Sequence, residues 1–223
     1  MEAIVGRVEL SDAPLEIGVG PHPLPWPDDP RLDPVLLTEG DRRNVVDEYR
    51  YWTQVAIVAD LDLKRHSFHV GIENFAHDFN IGSVVRTANA FLAKEVHIVG
   101  RRRWNRRGAM VTDRYQHVHH HVDALELGNW AQANGLVIVG IDNVPGSVPL
   151  ETFDLPVNCL MLLGQEGAGL TAEAREVSSA LLSIAQYGST RSINAGAAGA
   201  IAMHAWVRQH LFAGSRTQVP DGL

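Results

Sequence analysis

Cysteine is almost missing from this sequence: Cys159 is the only one in 223 residues. A lone cysteine closes no disulfide within the chain and builds no cysteine-based zinc site. Its place inside the apolar run Asn158-Cys-Leu-Met-Leu-Leu163 predicts a small buried hydrophobe. Long hydrophobic runs are missing as well, since no stretch approaches the roughly 18 apolar residues that read as a membrane-spanning helix. The opening Met1-Glu2 segment shows neither a basic n-region nor an apolar h-region, so no secretory signal is visible and the expected compartment is the cytoplasm. Positive charge is in deficit, with 19 Lys and Arg against 26 Asp and Glu and a formal net charge of −7. That balance argues against a protein that coats nucleic acid by bulk electrostatics; any RNA binding must rest on a local patch.

What is present reads as one full core with an appendage. Five prolines fall within Pro21-His-Pro-Leu-Pro-Trp-Pro-Asp-Asp-Pro30, a density that blocks helix continuation and sheet pairing, so residues 1–34 read as an extended arm. From about Asp41 to Asp60, Val45, Tyr49, Trp52 and Ala56 recur at spacings that draw one stripe along a helix. Beyond residue 65 the pattern alternates. Runs at 66–72, 95–100, 135–141, 157–163 and 181–185 predict strands, and 80–92, 123–134, 171–178 and 194–211 carry helical spacing. This alternation predicts an α/β fold: a mostly parallel sheet with helices on both faces and ligands outside the carboxyl ends of the strands. The expected organisation is an arm and helix over 1–65, a main domain over 66–212 and a tail over 213–223.

Three constellations stand out in order along the main domain. Asn80-Ile-Gly-Ser-Val-Val-Arg86 opens a helix with a preferred N-cap residue and carries in Arg86 the one charge between Asp78 and Lys94. Arg86 is either a functional cation or the solvent side of an amphipathic helix. Gly164-Gln-Glu166-Gly167-Ala-Gly169 follows an apolar strand, where glycines let backbone approach a ligand closely; its spacing is not that of the dinucleotide fingerprint. Ile184-Ala-Gln-Tyr-Gly188-Ser-Thr-Arg-Ser192-Ile193-Asn194 then leads into a helix built largely of Gly and Ala, with Ser192 and Asn194 suited to cap it. Small residues on that helix admit a close backbone neighbour.

Two further segments carry polar chemistry. Arg101, Arg102, Arg103, Trp104, Arg106 and Arg107 cluster after the strand that ends at Gly100, in a chain that is acidic overall. Arginines contact phosphates and an indole can stack on an unpaired base, so this loop is the RNA-docking candidate; a solvated charged loop is the alternative. Tyr115-Gln-His-Val-His-His-His121 contains adjacent histidines, but consecutive strand residues point to opposite faces and do not converge on one ion, so no metal is expected.

Taken in order, the Asn-to-Arg helix, the Gly-x-Glu-Gly-x-Gly loop and the Ser-x-Asn helix start resemble the three motifs of the SpoU/TrmH family of RNA 2′-O-ribose methyltransferases, within the SPOUT group. The resemblance covers about residues 66–212. It implies a deep C-terminal trefoil knot, a homodimer paired through the knot region, S-adenosylmethionine as cofactor and tRNA or rRNA as partner. By position it implies that Gly164, Gly167, Ile184, Gly188 and Ile193 shape the cofactor pocket. Arg86 becomes the catalytic candidate at the target ribose, with Asn80, Glu166, Ser192 and Asn194 supporting the pocket or the RNA. The chain departs from the family pattern at Arg191, where an apolar or acidic residue is usual, and at Ala185, where proline is usual. A methyltransferase of the same fold acting on a base nitrogen, and a catalytically silent RNA-binding homologue, remain the alternatives.

Overall fold

The computed structural model describes residues 18–75, 80–165 and 168–212, in two compact units divided between Thr53 and Gln54. The expected tail over 213–223 and the first half of the expected arm lie outside the described residues.

In the N-terminal unit the expected helix over 41–60 is not formed. Its first part is a single 3-10 turn at Asp47–Tyr49, and a regular helix starts only at Gln54 in the other unit. The break has a local cause. Asp41, fully buried, pairs with Arg43 at 2.7 Å and accepts the backbone N–H groups of Arg43 and Tyr51, and Tyr51 takes a left-handed φ of 64° that no helix tolerates. Tyr49 and Trp52 therefore face the unit's own small core, with ring centroids 5.4 Å apart. A short helix not foreseen, α1 (Pro34–Glu39), begins with Asp33 accepting from Val35 N–H and a proline in its first turn.

The larger unit is the expected α/β architecture. Its strands are β1 (His69–Asn74), β2 (Val96–Gly100), β3 (Val118–His121), β4 (Val137–Ile141), β5 (Val148–Pro149), β6 (Cys159–Leu163) and β7 (Ala180–Ser183). They form one seven-stranded sheet in the order β3-β2-β1-β6-β4-β7-β5, parallel at every pairing. Apolar runs announced five of these strands; β3 is histidine at three of its four positions and β5 only two residues long, so neither leaves such a run.

Helices cover both faces: α2 (Gln54–Lys64), α3 (Ile81–Ala90), α4 (Ala124–Ala133), α5 (Ala172–Glu176) and α6 (Ala195–Leu211). Alternation along β6 divides the core. Cys159, Met161 and Leu163 pack with Val84, Val85 and Ala88 of α3 and with Met203 and Trp206 of α6. Leu160 and Leu162 point the other way, to Leu127 and Ala131 of α4 and Ala174 of α5. Burial pushes the Cys159 thiol up to about 12, so it behaves as the expected inert hydrophobe. Gly82 brings α3 against the segment after β2: a β-carbon there would stand 2.6 Å from Gly108 Cα. Among the described residues no helix is long and apolar enough to cross a membrane.

The α4 face of the sheet carries a polar inlay across β1, β2 and β3. His97 Nε2 lies 3.0 Å from His69 Nδ1 and its Nδ1 lies 2.9 Å from His121 Nε2, with Trp130 of α4 packed over His97 at a centroid distance of 4.4 Å. Burial first, then the neighbouring imidazoles, pushes His97 down to about 2. Burial also takes His69 down to about 4, against the pull of Glu95.

Asp41 sets the acid response of the N-terminal unit. Its burial alone would raise the carboxyl, yet the hydrogen bonds from Arg43 and Tyr51 hold it lower, at about 2 against an ordinary 3.8. A depressed folded value stabilises above about pH 4 and is lost as pH falls toward 2. Hydrogen-exchange protection over 41–53, corrected for intrinsic rate, should stay level down to about pH 4 and decline below it. Asp41→Asn should cost that protection at neutral pH.

Candidate active site

At the carboxyl ends of the strands lies a cavity of about 660 Å³. Three chain segments meet around it: Ile141-Asp-Asn-Val144 leaving β4, Leu163-Gly-Gln165 with Ala168 and Gly169 after β6, and Arg191-Ser-Ile-Asn-Ala195 leading into α6. Arg175 of α5 completes the wall. A parallel sheet produces such a crevice because its βα loops all emerge on one side.

The loop after β6 owes its shape to glycine. A β-carbon on Gly164 would overlap the backbone of Gly169 and Leu170. Gln165 and Gly169 exchange two backbone hydrogen bonds of 3.1 Å, closing the loop on itself. Gly169 has a φ of 68°, and a β-carbon there would stand 2.7 Å from Asp142 Oδ2. That carboxylate accepts from Leu170 N–H at 3.0 Å and from Arg175 Nη2 at 3.2 Å, tying the β4 and β6 loops together. Asp142 and Arg175 were not among the residues picked from the sequence. An acid directly after the apolar run of β4 was the available signal.

Glu73, at the end of β1, accepts from both the backbone N–H and the hydroxyl of Thr171, the N-cap of α5. Burial raises its pKa while those two hydrogen bonds pull it back.

The start of α6 joins the first motif to the third. Asn194 caps the helix, its Oδ1 accepting from Gly196 and Ala197 N–H, while its Nδ2 donates to Asn80 Oδ1 at 2.8 Å. Asn80 occupies the N-cap position of α3 but makes no side-chain capping bond, because its amide oxygen receives Asn194 instead. Ser192 lines the cavity and takes no part in capping α6. Ser83, one turn before Arg86 on the same side of α3, sits beside Gly196. Arg86 is exposed and among the described residues has neither a hydrogen bond nor an ion pair. Helical side chains lean toward their own N-terminus, which turns Arg86 back toward the turn that holds Ser83.

The remaining selected residues divide. Gly164 and Ile193 line the cavity; Ile184 packs against the core of the α3 and α6 face, and Gly188 stands on an exposed loop with open space around it. Glu166 and Gly167 lie outside the described residues. In the basic loop, Arg101, Arg102, Arg103, Arg106 and Arg107 are exposed, and the side chain of Asn74 at the end of β1 holds the carbonyls of Arg101 and Arg103. Trp104 packs against the core with the Arg106 guanidinium 5.6 Å from its ring, so the arginines face outward and the indole does not offer an open stacking surface.

Residues 67–204 match the model of the SpoU rRNA methylase family, more than half of the chain. The chain belongs to that family. This SpoU-family chain is 30% identical over 148 residues to a Mycolicibacterium vanbaalenii protein described as an uncharacterised tRNA/rRNA methyltransferase, covering 63% of this chain and 46% of that one. It therefore spans less than half the length of such curated relatives. Among solved structures, the SpoU methyltransferase AviRb from Streptomyces viridochromogenes, crystallised with AdoMet, superposes with a TM-score of 0.61 at 26% identity over 66% of this chain and 62% of that one. The A. aeolicus TrmH/SpoU tRNA modifying enzyme shares the fold, with a TM-score of 0.64 at 20% identity over 72% and 86% of the two chains.

Asn194→Ala removes a helix cap and the bond to Asn80 together. Loss of a cap costs about 0.5–2 kcal/mol. The measured unfolding free energy of this SpoU-family chain should fall by at least that much, and α6 should lose hydrogen-exchange protection in its first turn before its last.

Proposed function

We propose that the chain binds S-adenosylmethionine in the cavity and transfers its methyl group to a ribose 2′-hydroxyl of tRNA or rRNA. The observation that carries this reading is the Asn194–Asn80 hydrogen bond, which couples the cavity wall to the start of the helix that bears Arg86.

The residues present fit the cofactor. The cavity lies within the roughly 300–1,000 Å³ of small-molecule sites. Asp142 and Arg175 offer opposite charges for an amino-acid moiety, and Arg175 Nε is buried without a partner among the described residues. Backbone groups at Gly164 and Ile193 would hold the adenosyl part. Bound there, the cofactor supplies an electrophilic methyl group on a sulfonium.

The chain's own work is positioning and electrostatics. Attack requires the ribose oxygen, methyl carbon and sulfur close to collinear, and a rigid crevice that holds both reactants contributes much of the rate. As the hydroxyl loses its proton, negative charge develops on its oxygen, and Arg86 stabilises it as a fixed cation. A guanidinium keeps its proton near neutral pH, so Arg86 orients and stabilises while phosphate or water takes the proton. The arginines of the basic loop hold the RNA backbone. Gly82 and Gly108 pack that loop's end against α3, which puts the phosphate-binding segment on the element that carries Arg86.

Two subunits pairing through a knotted C-terminal region, in the cytoplasm, belong to the same reading; α6 exposes Ile201 and Leu211, which a partner subunit would cover. Sedimentation of the pure chain at micromolar concentration tests the dimer.

Digestion of the methylated RNA to nucleosides should yield a 2′-O-methyl nucleoside. A base-methylated product sinks the ribose assignment, and cofactor binding with no product sinks the activity. Arg86→Ala should lower kcat about 10²- to 10³-fold with calorimetric affinity for the cofactor intact. Replacing Arg102, Arg103 and Arg107 together by alanine should weaken RNA binding similarly for unrelated sequences. The slope of log K against log salt should shrink by about one for each phosphate that the variant no longer neutralises.

A further inference from the structure

At the opposite end of the sheet from the cavity, where β1 and β2 begin, three ligating atoms from separate positions meet. His69 Nδ1 and His97 Nε2 stand 3.0 Å apart, and Glu95 Oε2 lies 3.7 Å from the first and 3.9 Å from the second. All three atoms fall within 4.8 Å of one another. The point in their own plane equidistant from them lies about 2.1 Å from each, and zinc bonds to imidazole nitrogen and carboxylate oxygen run about 2.0–2.2 Å, so a tetrahedral ion, which stands out of that plane, draws the three atoms slightly inward. We propose that His69, Glu95 and His97 bind a divalent transition-metal ion of the zinc class at a site distinct from the cavity.

The surroundings are those of a metal site. A metal-bound imidazole engages a second group through its other nitrogen, which fixes its tautomer and orientation. With Nε2 on the ion, His97 carries its proton on Nδ1 and donates it to His121 Nε2 at 2.9 Å. Trp130 shields the site from the α4 side, with ring centroids 4.4 Å from His97 and 5.5 Å from His69. The Glu95 side chain is 22% exposed and leaves a route in from solvent. His119 Nε2, 3.4 Å from the same Glu95 oxygen, borders the open side, where it or a water takes the fourth position. The ion ties β1 to the start of β2, two strands already paired in parallel. The Tyr115–His121 run does not converge on itself; the ligands come from β1 and from the two ends of a short stretch at the start of β2, a grouping that only strand pairing creates.

The test uses the full untagged chain, stripped with a chelator and titrated with Co²⁺ and then Zn²⁺. One equivalent of Co²⁺ per chain should give visible d–d absorption that Zn²⁺ displaces, with a rise in Tm on Zn²⁺ addition. Glu95→Gln, a near-isosteric change at the solvent edge, and His69→Gln should each weaken Co²⁺ binding about tenfold or more while circular dichroism stays that of the parent. No stoichiometric uptake by the parent chain, or unchanged Co²⁺ affinity in folded Glu95→Gln, overturns the proposal and leaves a chain of hydrogen-bonded imidazoles.

Discussion

The close passage of Gly164 against Gly169 and Leu170 is the constraint around which the site is organised. β6 runs between β1 and β4, buried along its whole length, and its chain must turn out of the sheet without a side chain at the turning point. That turn puts Gly169 beside the Asp142 carboxylate, and Asp142 in turn holds Leu170 and Arg175. A larger residue at either glycine would push the β6 loop off the β4 loop and open the floor of the cavity. These contacts hold the described part of the β6 loop against the β4 loop.

A second coupling crosses 114 positions of sequence. Asn80 gives up the capping role that its residue type favours and accepts instead from Asn194, which does cap its helix. Through this pair the start of α3 and the start of α6 are held together, and the exposed Arg86 belongs to the same structural block as the cavity wall. Within an acidic chain, five exposed arginines sit on one loop anchored by Asn74 and by the packing of Trp104. Local charge density governs phosphate contact, and screening limits the reach of the distant acidic residues to about a Debye length.

Two parts of the sheet hold different chemistry. Carboxyl ends carry loop backbone and the cavity. The α4 face carries imidazoles in contact across β1, β2 and β3 under Trp130, in a place where most sheets bury aliphatic side chains. Buried polar groups need partners, and these histidines find them in one another and in Glu95.

Alternation of apolar runs with helical spacing determined the α/β class, because a parallel sheet with both faces covered demands that pattern in any sequence. The three motifs were legible because glycines cluster after an apolar strand, asparagine opens a helix and Arg86 stands alone among uncharged residues. The family resemblance pointed to Gly164, Ser192, Ile193 and Asn194, which line the cavity, whereas Asp142 and Arg175, which line it too, carry no such signal. The helix expected over 41–60 failed because the stripe of Val45, Tyr49, Trp52 and Ala56 says nothing of a buried Asp41 that claims the backbone of Tyr51. The expectation of no metal rested on histidine spacing within one strand; the meeting of His69, Glu95 and His97 depends on which strands lie side by side and in what register. Periodicity reports which face a residue occupies; only pairing decides what it faces across the sheet.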